Sequence, residues 1–384
     1  EQNSDLWIAA FERLLADLSR LIPLSDIRRL LVDGTSGTVL LTDPNGQALS
    51  PARMYNDVSG LDYLPRLHSV ADCDQTPATG TGSTLLRVLA LEATYRPDMP
   101  WHIAHQADFI SAWLTARTGI SDYHNCLKLG FNPQSMLWPR WIDKLLPASA
   151  LPRVIEPSRP ISTIAPQHAR RFGFDPALQV FAGTTDANAA FIATGASTPG
   201  QGVTSLGSTL VVKMTSATRI DRPQLGVYSH RLGDLWLVGG ASNAGCAVLR
   251  DHFRDQQLAQ LSAQMDISRP TGFDYYPLQG VGEPSPEPDP TRQPSLQPRP
   301  DDDVIFLQGI LEALTRIEKK SYQTLQQAGA PMLTSVLTMG GGSVNEAWRQ
   351  LRQNALAVDV SSAHHTEAAY GSARLAMLGL TPYL

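Results

Sequence analysis

The sequence predicts an α/β protein large enough for two domains. Two stretches carry most of that prediction: Gln179-Val180-Phe181 runs through Ala182-Gly183-Thr184-Thr185-Asp186 into a small apolar helix, and residues 335–339 run through Gly340-Gly341-Gly342 into a second helix. Each is an apolar strand, a bare turn and a helix start in sequence order. The third observation is size and balance. With 384 residues, 42% hydrophobic and 17% charged, the chain can bury two sizeable cores as an ordinary globular protein.

Charge and apolar runs exclude other classes. A net charge of -5 gives no electrostatic case for nucleic acid or an anionic membrane as partner. No apolar run approaches the ~18–20 residues of a membrane span. The first twenty residues lack the basic start and apolar centre of a signal peptide, so a cytoplasmic protein is expected. Cys73, Cys126 and Cys246 are odd in number and far apart, which suggests buried thiols rather than disulfides or zinc ligands.

In chain order, Ser4 is expected to cap a helix with Trp7, Phe11, Leu14, Leu15, Leu18 and Leu21 on one face, stopped by Pro23. Residues 27–32 and 38–42 read as strands of one sheet around the bend Asp33-Gly34-Thr35-Ser36-Gly37, and Asp43-Pro44-Asn45-Gly46 has the residues of a tight turn. Met54-Tyr55-Asn56-Asp57 mixes an aromatic face with polar groups, as a sugar or base site would, or as a surface turn would. Residues 71–84 are rich in Thr, Gly, Asp and Ser and end before an apolar helix over 85–92. Such hydroxyls at a helix start suit a polyol or anion, or simply a capped loop. A further helix is expected over 108–118. His102, His105, His364 and His365 lack a third ligand at a useful spacing and read as structural or surface groups.

At the midpoint, Asp186 sits on the first turn of the helix over 187–194. It reads either as a helix-capping carboxylate or as a functional one at a strand-to-helix junction. Strands over 202–206 and 210–214 flank the bend Gly207-Ser208-Thr209, which has the composition of an anion-binding nest or of a plain hairpin turn. A second hairpin follows over 226–230 and 235–239. Gly239-Gly240-Ala241-Ser242-Asn243-Ala244-Gly245 then leads into one helix over 246–261. The proline-dense residues 279–303 are expected to form an extended surface loop, and Asp301 to Asp303 to face solvent at the start of a long helix over 304–328. Three glycines at 340–342 leave a flat place where a nucleotide can lie against backbone, or serve purely structural close packing. The chain lacks a G-x-x-x-x-G-K-[ST] loop, the dinucleotide fingerprint and a G-x-S-x-G elbow.

Six motifs together carry a family resemblance. They are Asp33-Gly34-Thr35-Ser36-Gly37-Thr38-Val39-Leu40-Leu41, Ser121-Asp122-Tyr123-His124-Asn125, Ala182-Gly183-Thr184-Thr185-Asp186, Thr204-Ser205-Leu206-Gly207-Ser208-Thr209, Gly239-Gly240-Ala241-Ser242-Asn243 and Gly340-Gly341-Gly342-Ser343-Val344-Asn345. Over nearly its whole length the chain resembles the FGGY carbohydrate kinases, and most of all their xylulokinase-like D-ribulose kinases of cyanobacteria and plastids. The resemblance implies an α/β, two-lobed actin-like ATPase (ribonuclease H-like) fold with a central cleft. It implies a sugar-binding lobe over 1–195 and an ATP-binding lobe over 196–384, the last helix packing back on the first lobe.

By the same resemblance the reaction is phosphorylation of a ketose, D-ribulose first, by ATP with Mg2+. Asp186 is the implied general base. Gly207, Ser208 and Thr209 are implied to hold phosphates, Gly340, Gly341, Gly342 and Asn345 to line the adenosine pocket, and Asp57, Ser83 and Asp186 to contact sugar. No metal ligand is implied by position, and the sequence leaves the oligomeric state open. Location is cytoplasmic, or the plastid stroma for a plant or algal chain. One departure stands out: the family opens with D-x-G-T and a basic residue, and no such segment precedes the first helix here. Asp33-Gly34-Thr35 imitates it but matches a later strand. The chain, which begins at Glu1, is therefore expected to be truncated at its start, to bind nucleotide weakly and to turn over little sugar. The alternatives are a non-catalytic sugar- or nucleotide-binding protein, and a kinase for xylulose or another polyol.

Overall fold

The computed structural model describes residues 1–71 and 76–383. Cys73 and part of the polar stretch 71–84 lie outside the described residues. The chain divides into two units, one formed by Glu1–Ala193 with Glu367–Pro382, the other by Thr194–Thr366.

In the first unit, α1 (Asp5–Leu18) buries Trp7 and Leu15 on the expected face, with Trp7 edge-on to Phe109 at 6.0 Å. Two expectations about this helix fail. Ser4 is itself helical and makes no capping bond; Asn3 Oδ1 accepts from the Asp5 amide at 2.9 Å instead. Leu14 and Leu21 are exposed, because α1 lies on its neighbours along a narrow stripe and ends before Leu21.

Next come β1 (Arg29–Gly34), β2 (Val39–Thr42), α2 (Leu64–Val70), α3 (Thr84–Tyr95), β3 (His102–His105) and α4 (Gln106–Thr115). They are followed by β4 (Ile120–Asp122), β5 (Arg153–Ile155), β6 (Pro160–Thr163), α5 (Pro166–Phe172), β7 (Gln179–Thr185) and α6 (Asp186–Thr194). The strands read as one sheet on either side of the Asp33 bend in fact belong to two. β1 runs parallel to β7, Asp33 opposite Thr184 and Gly34 opposite Thr185, while β2 pairs antiparallel with β3. The close approach of β1 explains Gly183: a Cβ there would collide with the Val32 carbonyl.

The second unit is built on a six-stranded sheet, with β8 (Gln201–Leu206), β9 (Leu210–Ser216), β10 (Tyr228–Leu232), β11 (Leu235–Ser242), β12 (Ser335–Met339) and β13 (Asp359–Ser362) in the order β10-β11-β9-β8-β12-β13. The first four form antiparallel pairs; β8, β12 and β13 are parallel. Its helices are α7 (Ala247–His252), α8 (Asp255–Ser262), α9 (Asp303–Gln327) and α10 (Glu346–Leu356). Helix α9 fills the core with Phe306, Leu307, Ile310, Leu311 and Leu314, and Asp302 caps it through the Val304 amide.

Two expectations are corrected in this unit. The single helix over 246–261 is broken into α7 and α8, because Phe253 turns extended to bury its ring against Phe306 and His252. Tertiary packing overrides local helix preference there. The proline-dense segment is not wholly a surface loop. Glu283 and Ser285 within it are buried, and Glu283 accepts hydrogen bonds from the Ser242 and Tyr276 hydroxyls at 2.7 and 2.9 Å and from the Asn243 amide at 2.9 Å. An unpartnered carboxylate could not be buried at modest cost, and these donors remove the penalty.

The last helix, α11 (Ala368–Leu378), belongs to the first unit and packs on β1. Arg29 donates to the carbonyls of Ala376 and Met377 at its end, and Gly371 lets it approach the Ala189 carbonyl where any Cβ would collide.

Candidate active site

In the first unit, Asp186 stands at the carboxyl end of β7, where parallel strands of α/β sheets present ligand-binding groups. Its capping reading is not what the structure displays. Oδ1 accepts only from the next residue's amide, Ala187 N at 2.6 Å, and among the described residues Oδ2 takes no hydrogen bond. Asp33, which the motif reading placed only in an imitated turn, ends β1 alongside. Burial pushes the Asp33 carboxyl up, the Ser372 hydroxyl at 2.5 Å opposes this, and the Asp186 charge pushes it up again. Two carboxylates thus share this strand end.

Behind the strand end lies a buried polar network. Asp122 is fully buried and accepts from the His124 and Asn125 amides at 2.8 and 3.0 Å and from Asn125 Nδ2 at 2.6 Å. Burial and the neighbouring Asp108 push its pKa up to about 7 against the help of Asn125 and His105. His124 Nδ1 lies 2.7 Å from Thr184 Oγ1, two residues before Asp186, so the Ser121 to Asn125 motif holds β7 near its carboxyl end. His105 is buried and paired with Asp108 at 2.8 Å, a structural role as expected.

The remaining predicted sugar contacts are brought together by a residue that sequence reading missed. Arg87 of α3 is 2% exposed and donates to the carbonyls of Tyr55, Asp57, Gly37, Gly82 and Ser83. It ties the Asp33 bend, the Tyr55 to Asp57 turn and the α3 start to one point. Its signal was a lone charge inside the apolar run 85–91. The side chains themselves are less free than predicted. Ser83 is 1% exposed, caps α3 through the Leu86 amide and donates to the Lys128 carbonyl at 3.4 Å. The Asp57 carboxylate is bonded to Ser59 and to Arg53 at 3.1 Å. Burial works against its ionised form, and these bonds overcome it and hold its pKa below the ordinary value. Tyr55 and Asn56 beside it are exposed.

In the second unit, the two glycine segments emerge side by side, because β8 and β12 are parallel neighbours with Ser205 opposite Met339. A buried ion pair fixes both strands just before their turns. Arg352 bonds Glu318 through two nitrogens at 2.7 Å and donates to Thr338 of β12 at 2.8 Å, while Thr204 of β8 donates to Glu318 at 2.5 Å. The Gly207-Ser208-Thr209 turn is gripped from the other side: Cys246 N donates to the Gly207 carbonyl at 2.8 Å and Leu210 N to that of Ala244 at 2.7 Å. Among the described residues no hydrogen bond uses the Ser208 or Thr209 amide. Both residues are exposed, which leaves donors facing outward.

The three glycines differ in cause. A Cβ on Gly340 would lie 2.7 Å from the Leu206 carbonyl, and φ is +86°. A Cβ on Gly342 would lie 2.7 Å from the Trp348 ring and 2.8 Å from Leu206. Packing therefore explains both. A Cβ on Gly341 would meet nothing within 4 Å, so the fold gives no reason for its bareness. Asn345 is occupied: Oδ1 caps α10 through the Trp348 amide at 3.0 Å and Nδ2 donates to Ser262 at 2.8 Å. Among the described residues no three His, Cys, Asp or Glu side chains are placed to hold a metal.

Residues 202–380 match the C-terminal domain of the FGGY family of carbohydrate kinases. That match covers less than half of the chain. It is 25% identical to a xylulose kinase of Lactococcus lactis over 274 residues, 64% of this chain and 51% of that enzyme. That match spans about half the relative's length. A xylulose kinase of Bacillus subtilis is 24% identical over 99% of this chain and 80% of its own. Among solved structures, a xyloylose kinase from Brucella ovis superimposes with a TM-score of 0.86 at 22% identity, over 99% of this chain and 82% of that one. The fold is the α/β, two-domain actin-like fold of FGGY sugar kinases.

Proposed function

We propose that the protein phosphorylates a ketose with ATP, D-ribulose in preference to D-xylulose or glycerol, and that Asp186 is its general base. The observation that carries this reading is the Asp186 carboxylate, at a parallel-strand end with one oxygen uncommitted, in a chain whose residues 202–380 match the FGGY C-terminal domain. Asp186 takes the proton of the attacking sugar hydroxyl; the adjacent Asp33 carboxyl, protonated more readily than an ordinary one, limits repulsion at that strand end. Asp57 and Ser83 border the sugar, with Arg87 holding their backbone and the exposed Tyr55 and Asn56 offering contact. The Ser208 and Thr209 amides and hydroxyls bind phosphate oxygens from ATP, and Gly340, Gly341, Gly342 and the Asn345 cap form the backbone wall of the adenosine pocket. Mg2+ bound with the phosphates supplies charge neutralisation, a demand that phosphoryl transfer makes more than covalent chemistry.

D-Ribulose rests on the six sequence motifs. The names of the relatives favour a second reading, D-xylulose. Among the described residues no helix is long and apolar enough to cross a membrane, and we place the protein in the cytoplasm, or the stroma of a plastid. ADP release measured with D-ribulose, D-xylulose and glycerol tests the substrate. The highest kcat/KM is expected for D-ribulose, and a clear preference for another sugar replaces the substrate while keeping the class.

A further inference from the structure

We propose that Arg250 of α7 is a phosphate-binding residue, clamping a phosphate of a bound adenine nucleotide against the Gly207-Ser208-Thr209 turn. This rests on the reading of that turn as a nucleotide site. Three observations carry it. Arg250 is exposed and donates from Nη2 to Ser208 Oγ at 3.0 Å, its one hydrogen bond among the described residues. No carboxylate among those residues lies within ion-pair distance of it, and the neighbouring Asp251 accepts from Gln279 at 3.1 Å instead. The start of α7 is also fixed to the turn, through Cys246 N to the Gly207 carbonyl and Ala247 N to that of Ser208 at 3.3 Å, with no room for a Cβ on Gly245.

The result is a cluster made of donors: a guanidinium, two hydroxyls and two unbonded amides. A surface Arg usually finds a carboxylate or lies free in water. Here the guanidinium is held over a turn that offers it only a neutral hydroxyl. Its planar fork suits two phosphate oxygens, and the Ser208 hydroxyl is then released to act as another donor.

The test is equilibrium binding of ATP, ADP and adenosine, with Mg2+ present, to wild type, Arg250→Ala and Arg250→Lys. Arg250→Ala should weaken ATP and ADP about ten- to hundredfold and leave adenosine within twofold, and Arg250→Lys should recover part of the loss. Thermal unfolding should not move, because the side chain supports no other element. If wild type binds none of the three, the nucleotide reading of the turn is overturned. Wild-type binding with Arg250→Ala unchanged toward ATP overturns the role of Arg250 alone. An equal loss of ATP and adenosine, unrepaired by Lys, also overturns it and makes Arg250 a support of the fold.

Discussion

Adding one methyl group at two adjacent glycines separates a packing role from a ligand role. In Gly342→Ala the new Cβ would sit 2.7 Å from the Trp348 ring and 2.8 Å from Leu206, both buried. Neither can retreat freely, since Trp348 donates to Thr315 at 3.0 Å, so overpacking of about 1–3 kcal/mol is expected. In Gly341→Ala the methyl meets nothing within 4 Å, and φ there is not positive. Stability should hold or rise by up to about 1 kcal/mol through the less flexible unfolded chain. If adenosine lies on that bare backbone, the same methyl costs about 1–3 kcal/mol of binding, roughly five- to 150-fold in affinity. Urea unfolding and ADP titration of the two variants form the assay. ADP affinity unchanged in Gly341→Ala would refute the placement of adenosine, and equal destabilisation by both would refute the packing distinction.

Two further outcomes follow from buried groups. Asp122 holds its proton in the fold up to about pH 7, whereas the unfolded chain releases it near 3.8, so its contribution to stability falls as pH rises through that window. Asp122→Asn should remove up to about 1.4 kcal/mol per pH unit of that slope, with Asn125 free to flip because its Oδ1 has no partner among the described residues; parallel pH profiles from urea unfolding would contradict this. Glu283→Gln turns a donor toward the hydroxyls or amide that now donate to it and should cost about 1–3 kcal/mol in urea unfolding, where a fully exposed loop residue would cost nothing measurable.

Much of the scaffold was legible because period and turn chemistry agree at the decisive junctions. The strand, turn and helix around Gly183 and Asp186, and again around Gly340, need little tertiary information. What was not legible depends on distant partners. The break at Phe253 is set by the Phe306 ring, the separation of β1 from β2 by their pairing with β7 and β3, and the burial of Glu283 by donors up to 41 residues away. Proline density correctly marked an irregular segment but carried no sign of its anchor. The site shows the same division. Asp186 could be named from its junction, but not its neighbour Asp33, since strand order alone brings the two together. That the Ser83 hydroxyl also caps α3 depends on where the helix starts, which its residue type does not give.

The central claim is that Asp186 is the base of a sugar kinase, and it is tested most directly by Asp186→Asn. The measurement is ADP release with D-ribulose, paired with ADP binding as a check on the intact nucleotide site. The account predicts a ~10²- to 10⁴-fold fall in kcat with ADP affinity and urea stability unchanged. Turnover within a few-fold of wild type would contradict it and leave Asp186 as no more than the first residue of α6.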